Sequence, residues 1–332
     1  MTIPNRIHRV LRKGFTGAPL HEPVFQSIER NFVRARWLVK LYYLLSAYTA
    51  YSLMSPLHKQ ARDAVSWDFL WPLFWMPQFD PVRAIGWLTL ACFLVALLAF
   101  QFPRVLLFRL TFVATFLCVA AVPNSLGGIN HGHHGWFWIG VTFLFLPRDA
   151  GDASSRAVKM GYLAVLTAAQ ALLLSFYTMA GLWKISFGIL NLLRGAEGNL
   201  SPRGFALQLA NRVVQTGTDP LLVLPAIDNY WLSWPMFLFV IYAQLTALFV
   251  LFRPRLHVVW GYILIGFHLG TWLLMEISFS QHVLFLLMLF VLSPFRPERR
   301  SLREAAADLP VFGPLARFAL APNRQVPRSA RT

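Results

Sequence analysis

Cysteine is nearly absent from this chain. Cys92 and Cys118 are the two present, both inside apolar stretches, so the sequence offers no disulfide framework and no thiolate cluster for a metal. Both read as small packing residues. Charge is scarce as well: 13% of the 332 residues carry it, whereas 57% are hydrophobic and the mean hydropathy is +0.53. That balance excludes a soluble globular domain and points to several membrane helices. Acidic residues are rarest, with 14 Asp and Glu against 30 Lys and Arg. Attraction to anionic lipid accounts for the excess of +16 more simply than nucleic acid does, so no nucleic-acid partner is expected. The first thirty residues have no continuous apolar core, so a signal peptide is not expected either.

Long apolar runs are what the chain does have. Candidate spans are 35–54, 84–102, 105–123, 134–147, 158–183, 231–252, 256–276 and 282–295. Of these, 134–147 and 282–295 are short enough to tilt, begin in their flanks or partly re-enter. Trp71, Trp75, Trp231, Trp234 and Tyr262 stand near span ends, as interfacial aromatics do. Eight spans put both termini on one side, and 23 of the 30 basic residues fall there, which the positive-inside rule makes cytoplasmic. The expected fold is all-α: a polytopic integral membrane helical bundle of about eight transmembrane helices, both termini cytoplasmic, in a cell inner membrane or plasma membrane. Its divisions are a basic arm over 1–30, a membrane domain over 31–296 and a basic tail over 297–332, where "PVFGPLARFALAP" suits the membrane surface. On the outer side, segment 55–83 holds the aromatic, proline-broken "WDFLWPLFWMP", an interfacial element. Segment 184–230 predicts a helix with Ser201 as N-cap and Pro202 at its first position, capping the outer mouth of the bundle.

Polar chemistry collects at a few places. "GGINHGHHGWFW" (127–138) sets Asn130, His131, His133 and His134 where a glycine-rich outer turn enters the fourth span. The glycines let backbone approach a ligand or another helix. Imidazoles there can carry protons, donate to a bound oxygen or ligate a metal; solvated interfacial histidines are the plainer alternative. No metal is expected, because H-x-H gives two ligands and neither a cysteine cluster nor H-E-x-x-H adds more. The seventh span carries His268, roughly 18 Å beyond Leu256 and so in the outer half of the core. Thr271, Trp272 and Met275 share its face by spacing, and Glu276 and His282 follow nearby. An ionisable residue within a span marks function by default; the alternative is a histidine bonding a neighbouring helix.

"TMAGLWKIS" (178–186) places Lys184 directly after an apolar run. A lysine there can be a snorkelling anchor at the lipid headgroups. On a continuing helix, however, Tyr177, Ala180, Gly181 and Gly188 share its face, a surface that lets a flat ligand or another helix come close. A lysine kept neutral by a dry pocket is a general base.

These stretches carry a resemblance. "NHGHHGWFWIGVTFLFLP", "FYTMAGLWKISFG" and "GFHLGTWLLMEISFSQHVLFLLMLFVLSPF", in this order, are similar to the HTTM (horizontally transferred transmembrane) domain of vitamin K-dependent gamma-carboxylase and its bacterial relatives, over roughly residues 30 to 300. The most specific elements are Ala180, Gly181, Lys184 and Ile185, then Phe267, His268 and Gly270. The resemblance implies that Lys184 deprotonates a vitamin K or menaquinone hydroquinone and that His131, after Asn130, stabilises the oxyanion. Asn130, His134, Tyr177, Gly181, His268 and Trp272 would line the quinol site. The implied chemistry is oxygenation of the hydroquinone to an epoxide by way of a strong base. That base takes a proton from a glutamate side chain, which then binds carbon dioxide. The expected class is thus oxidoreductase or lyase, with a reduced quinone as cofactor and no metal. Membrane lipid, anionic lipid at the basic tails, a quinol-like small molecule and a protein supplying a soluble domain are the expected partners. Two departures stand out: the lysine preceding the base in the family pattern is Trp183 here, and span six carries Gln244 where a glutamate is expected. The alternative is a non-catalytic membrane protein, such as a transporter, immunity factor or assembly partner, that keeps the scaffold.

Overall fold

Every regular element is helical among the residues described by the computed structural model, which are 28–64, 66–126, 132–148, 151, 153–297 and 302–319. α1 (Ile28–Asp63), α2 (Pro81–Gln101), α3 (Leu106–Asn124), α4 (His134–Phe143) and α5 (Arg156–Leu193) come first. Then follow α6 (Pro202–Thr216), α7 (Val223–Asp228), α8 (Tyr230–Leu245), α9 (Ala247–Val250) and α10 (His257–Met275). α11 (Ser280–Leu286) runs into a π-turn at Leu287–Val291, and α12 (Leu302–Ala307) and α13 (Gly313–Ala319) come last. Four of these helices are long and apolar enough to cross a membrane: α2, α3, α5, and α10 with the turn before it from Pro254. The other apolar runs also lie on helices. α4 and α8 are shorter, and α1 dilutes its apolar residues with Tyr42, Tyr43, Ser46, Tyr48, Thr49 and Tyr51.

Local chemistry sets several boundaries. Asp80 caps α2 by accepting from the Arg83 amide at 2.8 Å, with Pro81 at the first helical position, where its missing N–H costs nothing. Asp80→Ala is expected to remove about 1 kcal/mol of stability, read as a lower Tm in detergent. Ser201 and Pro202 open α6 as their order predicts. The Ser201 hydroxyl turns the other way, accepting from the Gly198 amide and donating to the Gly198 carbonyl.

The core is aromatic where α1, α3, α4 and α11 meet. Tyr42, Tyr43, Phe112, Trp136, Phe143 and Phe285 are fully buried there, and the Tyr42 hydroxyl donates to the Trp136 carbonyl at 2.5 Å. Gly140 makes this possible, since a Cβ on it would lie 2.8 Å from that hydroxyl. Arg109 is buried as well. Its Nη1 donates to the carbonyls of Phe143 (2.7 Å) and Leu146 (2.9 Å), which closes the carboxyl end of α4.

The bundle has a basic end, where α1 starts and α2 stops. There the Lys159 ammonium pairs with Glu29 at 2.5 Å, and Arg34 donates to the Arg296 carbonyl at 3.3 Å. Part of the tail docks at this end instead of lying apart. The Tyr242 hydroxyl donates to the Pro310 carbonyl at 2.6 Å, Arg253 donates to the Asp308 carbonyl, and Arg255 pairs with Asp308 and Glu304, both at 3.5 Å. Tail carboxylates and carbonyls thus find bundle cations and a phenol, which polarity alone did not foretell. At the far end, "WDFLWPLFWMP" forms two 3₁₀ turns, Trp71–Leu73 and Met76–Gln78, with Leu73 and Met76 buried. They are fastened by the Leu70 amide on the Ser125 hydroxyl and the Asp68 amide on the Ser125 carbonyl.

Candidate functional site

α5 positions the central residues of the site. It continues well past Lys184 to Leu193, so the helical face predicted for Tyr177, Gly181, Lys184 and Gly188 is real. Tyr177, Gly181 and Gly188 are buried, and Lys184 is half-buried. Gly181 lets α5 meet α8 backbone to backbone: a Cβ there would stand 2.5 Å from the Leu245 amide nitrogen and 3.0 Å from the Gln244 carbonyl carbon. One turn on, the Lys184 Nζ donates to the Gln244 Oε1 at 3.0 Å. Gln244 itself is buried. The Lys184 main-chain carbonyl accepts from Asn199 Nδ2 at 3.0 Å, and Asn199 in turn accepts from Gln208 of α6. Gly188 packs on Leu200 in the same connection. The amine therefore sits between α5 and α8, under the α6 segment.

A second polar contact lies seven residues back along α5, about 10 Å along its axis. The Tyr177 hydroxyl and His268 Nε2 are 2.6 Å apart, both residues buried. The His268 ring lies 5.0 Å from Phe279 and 5.6 Å from His282. Among the described residues the Nδ1 atoms of His268 and His282 meet no hydrogen-bond partner. Two ring nitrogens in one cluster thus keep capacity for a hydroxyl or other polar group of a ligand. Tyr177→Phe is expected to cost about 1 kcal/mol, because it leaves His268 Nε2 without its partner; the fall in Tm measures it.

The histidine turn reaches this cluster through α11. His133 is buried, its Nδ1 lies 2.8 Å from Gln281 Nε2 and 3.1 Å from Gln281 Oε1, and Gln281 directly precedes His282. His134 is half-buried on the first turn of α4. Asn130 and His131 lie outside the described residues. Trp272 does not join His268: its ring is 52% exposed, on the outside of the bundle, while His268 points inward. Trp183 is likewise outside, 65% exposed, and its ring meets that of Phe187 at a tilt instead, 4.3 Å between centroids. The structure thus brings together Tyr177 with His268 of α10, and Lys184 with Gln244 of α8, as two levels along one face of α5. No group of three or more His, Cys, Asp or Glu residues among those described can hold a metal ion.

Three amides complete the picture: Gln244, Gln281 and Asn199. Gln244 stands out in the sequence only as a departure from the family pattern, and the other two carry no motif at all. No family model matches the chain, and neither the curated proteins nor the solved structures compared with it give a match.

Proposed function

We propose that this chain is an integral membrane enzyme of the vitamin K-dependent carboxylase-like HTTM type, acting on a quinol-like, lipid-soluble substrate in a cell inner or plasma membrane. The observation that carries the reading is the Lys184 amine, half-buried and hydrogen-bonded to the neutral amide of Gln244, with no carboxylate on it among the described residues. An amine not locked in an ion pair is available to take a proton from a substrate hydroxyl. Its place on an eight-span topology is the outer side, opposite the basic end.

In this reading Lys184 Nζ is the base, and Gln244 Oε1, by accepting one amine N–H, orients its lone pair and holds that bond more strongly once the amine is protonated. Asn199 holds the Lys184 main chain, so the amine's height along α5 is fixed. Tyr177 and His268 form the deeper wall, where the free His268 Nδ1 accepts from a hydroxyl or passes a proton toward His282. Gln281 ties the histidine turn to that wall. A hydroquinone fits these residues in kind, since it offers hydroxyl protons to nitrogen acceptors and an aromatic face to Phe279. When bound, it supplies the reducing equivalents for reaction with oxygen. The surrounding apolar helices keep water from the developing charge.

The test is to give purified protein reduced menaquinone or vitamin K with oxygen and look for the epoxide by mass. Turnover above a protein-free control is the expected result, and its absence with both quinols overturns the proposal. The second reading, a non-catalytic scaffold, rests on the same contacts seen as braces: Lys184 with Gln244 joins α5 to α8, and Asn199 joins the α6 segment to α5. In that role a cation of similar reach serves as well, so Lys184→Arg would keep function.

A further inference from the structure

The docked tail folds back on itself, so closely at Gly313 that a Cβ there would lie 2.5 Å from the Ala307 carbonyl oxygen. Ala305 and Leu309 pack against the core, and Asp308 is buried. From the turn holding Arg255, where Glu304 and Asp308 dock, the segment runs up to the last turn of α8. There Tyr242 donates to the Pro310 carbonyl, and its ring lies 5.2 Å from Phe312. Neither α12, at six residues, nor α13, at seven, is long enough to be stable alone, so such contacts keep the segment in place. The attachment at Pro310 is strained. Its carbonyl accepts from the Phe312 amide as well, at 2.7 Å, closing a three-residue turn around Val311. Val311 has φ 66°, in the left-handed region that a β-branched residue avoids. Its side chain is 60% exposed, so packing does not offset the conformation. Strain of this kind persists where surrounding contacts over-determine it, and it favours the state that lets it go.

On the last turn of α8, Tyr242, Ala243 and Gln244 are consecutive, and each is held from a different side. Tyr242 meets the tail, the Ala243 carbonyl accepts from Trp260 Nε1 of α10 at 3.0 Å, and Gln244 Oε1 accepts from Lys184 Nζ of α5 at 3.0 Å. The helix breaks immediately beyond, at Thr246, whose hydroxyl bonds back to the Tyr242 carbonyl at 2.7 Å. A hydroxyl bonded four residues back bends a helix, so this turn can shift with little motion of the rest. We propose that segment 302–313 is a releasable strap: docked, it holds the last turn of α8 in the register at which Gln244 meets Lys184, and its release breaks that contact and uncovers the amine. Strap and contact exist whether Lys184 acts as a base or as a brace, so this control is separate from the quinol chemistry.

Two measurements on the detergent-purified full chain test this: hydrogen exchange over 302–313, and the rate at which acetic anhydride acetylates Lys184, read by peptide mass spectrometry. Lys59, exposed on α1, is the internal control. Glu304→Gln with Asp308→Asn changes the tail alone and removes its pairs with Arg255, so tail exchange and Lys184 acetylation should both rise about fivefold while Lys59 stays constant. Val311→Gly should do the reverse, slowing both about fivefold, because glycine adopts positive φ without the steric cost. It carries the test by itself if the double variant does not fold. Tail exchange that moves while Lys184 acetylation stays put would overturn the link to the amine. Exchange unmoved by Val311→Gly and by the acid pair alike would overturn the strap, and equal changes at Lys59 would reveal general loosening and overturn it as well.

Discussion

Replacing Lys184 by alanine is expected to lower quinol epoxidation by 10²- to 10⁴-fold, the range that loss of a positioned general base produces. The same loss is expected for Lys184→Arg. Arginine keeps the charge and nearly the reach, but it stays protonated and cannot accept a proton. This pair of variants separates a base from an anchor, because an anchor predicts near-normal function with arginine and loss with alanine alone. Folding should be little affected, since the lysine side chain gives up one hydrogen bond, to Gln244. Steady-state turnover, with Tm as the control, reads the outcome. Arginine at wild-type rate would sink the base assignment.

Gly181→Val is expected to destabilise the protein by about 3 kcal/mol or more, at the upper end of overpacking costs. The reason is what a side chain would strike. Atoms 2.5 Å and 2.8 Å from the Cβ position are the Leu245 nitrogen and Cα, main-chain atoms of α8 that have no rotamer to escape into. α5 and α8 must part, and Lys184, three residues on from Gly181, loses its register with Gln244. Gly181→Ala should cost less and Gly188→Ala less again. At Gly188 the nearest atom, at 2.5 Å, is the Cγ of a Leu200 side chain that can turn aside. Thermal unfolding in a fixed detergent gives the ranking; equal Tm values for the three variants would contradict the close crossing.

The helices were legible because apolar runs and caps are local. Pro81 after Asp80 and Pro202 after Ser201 mark starts that need only neighbouring residues. Tyr177 and His268 were legible one at a time, but their contact joins residues 91 apart, and nothing in either stretch encodes which helix packs on which. Trp272 shows the limit of helical spacing. Four residues from His268 it is near the same face, yet the seam between buried and exposed passes between them, and spacing does not say where that seam falls. Amides were the least legible. Gln244, Gln281 and Asn199 have neither charge nor a motif, and their roles arise only from what they meet.

α5 has 38 residues, about 57 Å at 1.5 Å each, more than the 40–45 Å of a whole bilayer with its headgroups. It is tied near its first turn to Glu29 through Lys159, and Lys184 rides about 42 Å up the rod from Arg156. Such a rod works as a gauge. In a thin membrane the amine is lifted toward water, and in a thick one it is drawn down into lipid, unless the helix leans. The thickness of the host membrane, set by lipid chain length and growth temperature, thereby becomes a dial on how wet this lysine is.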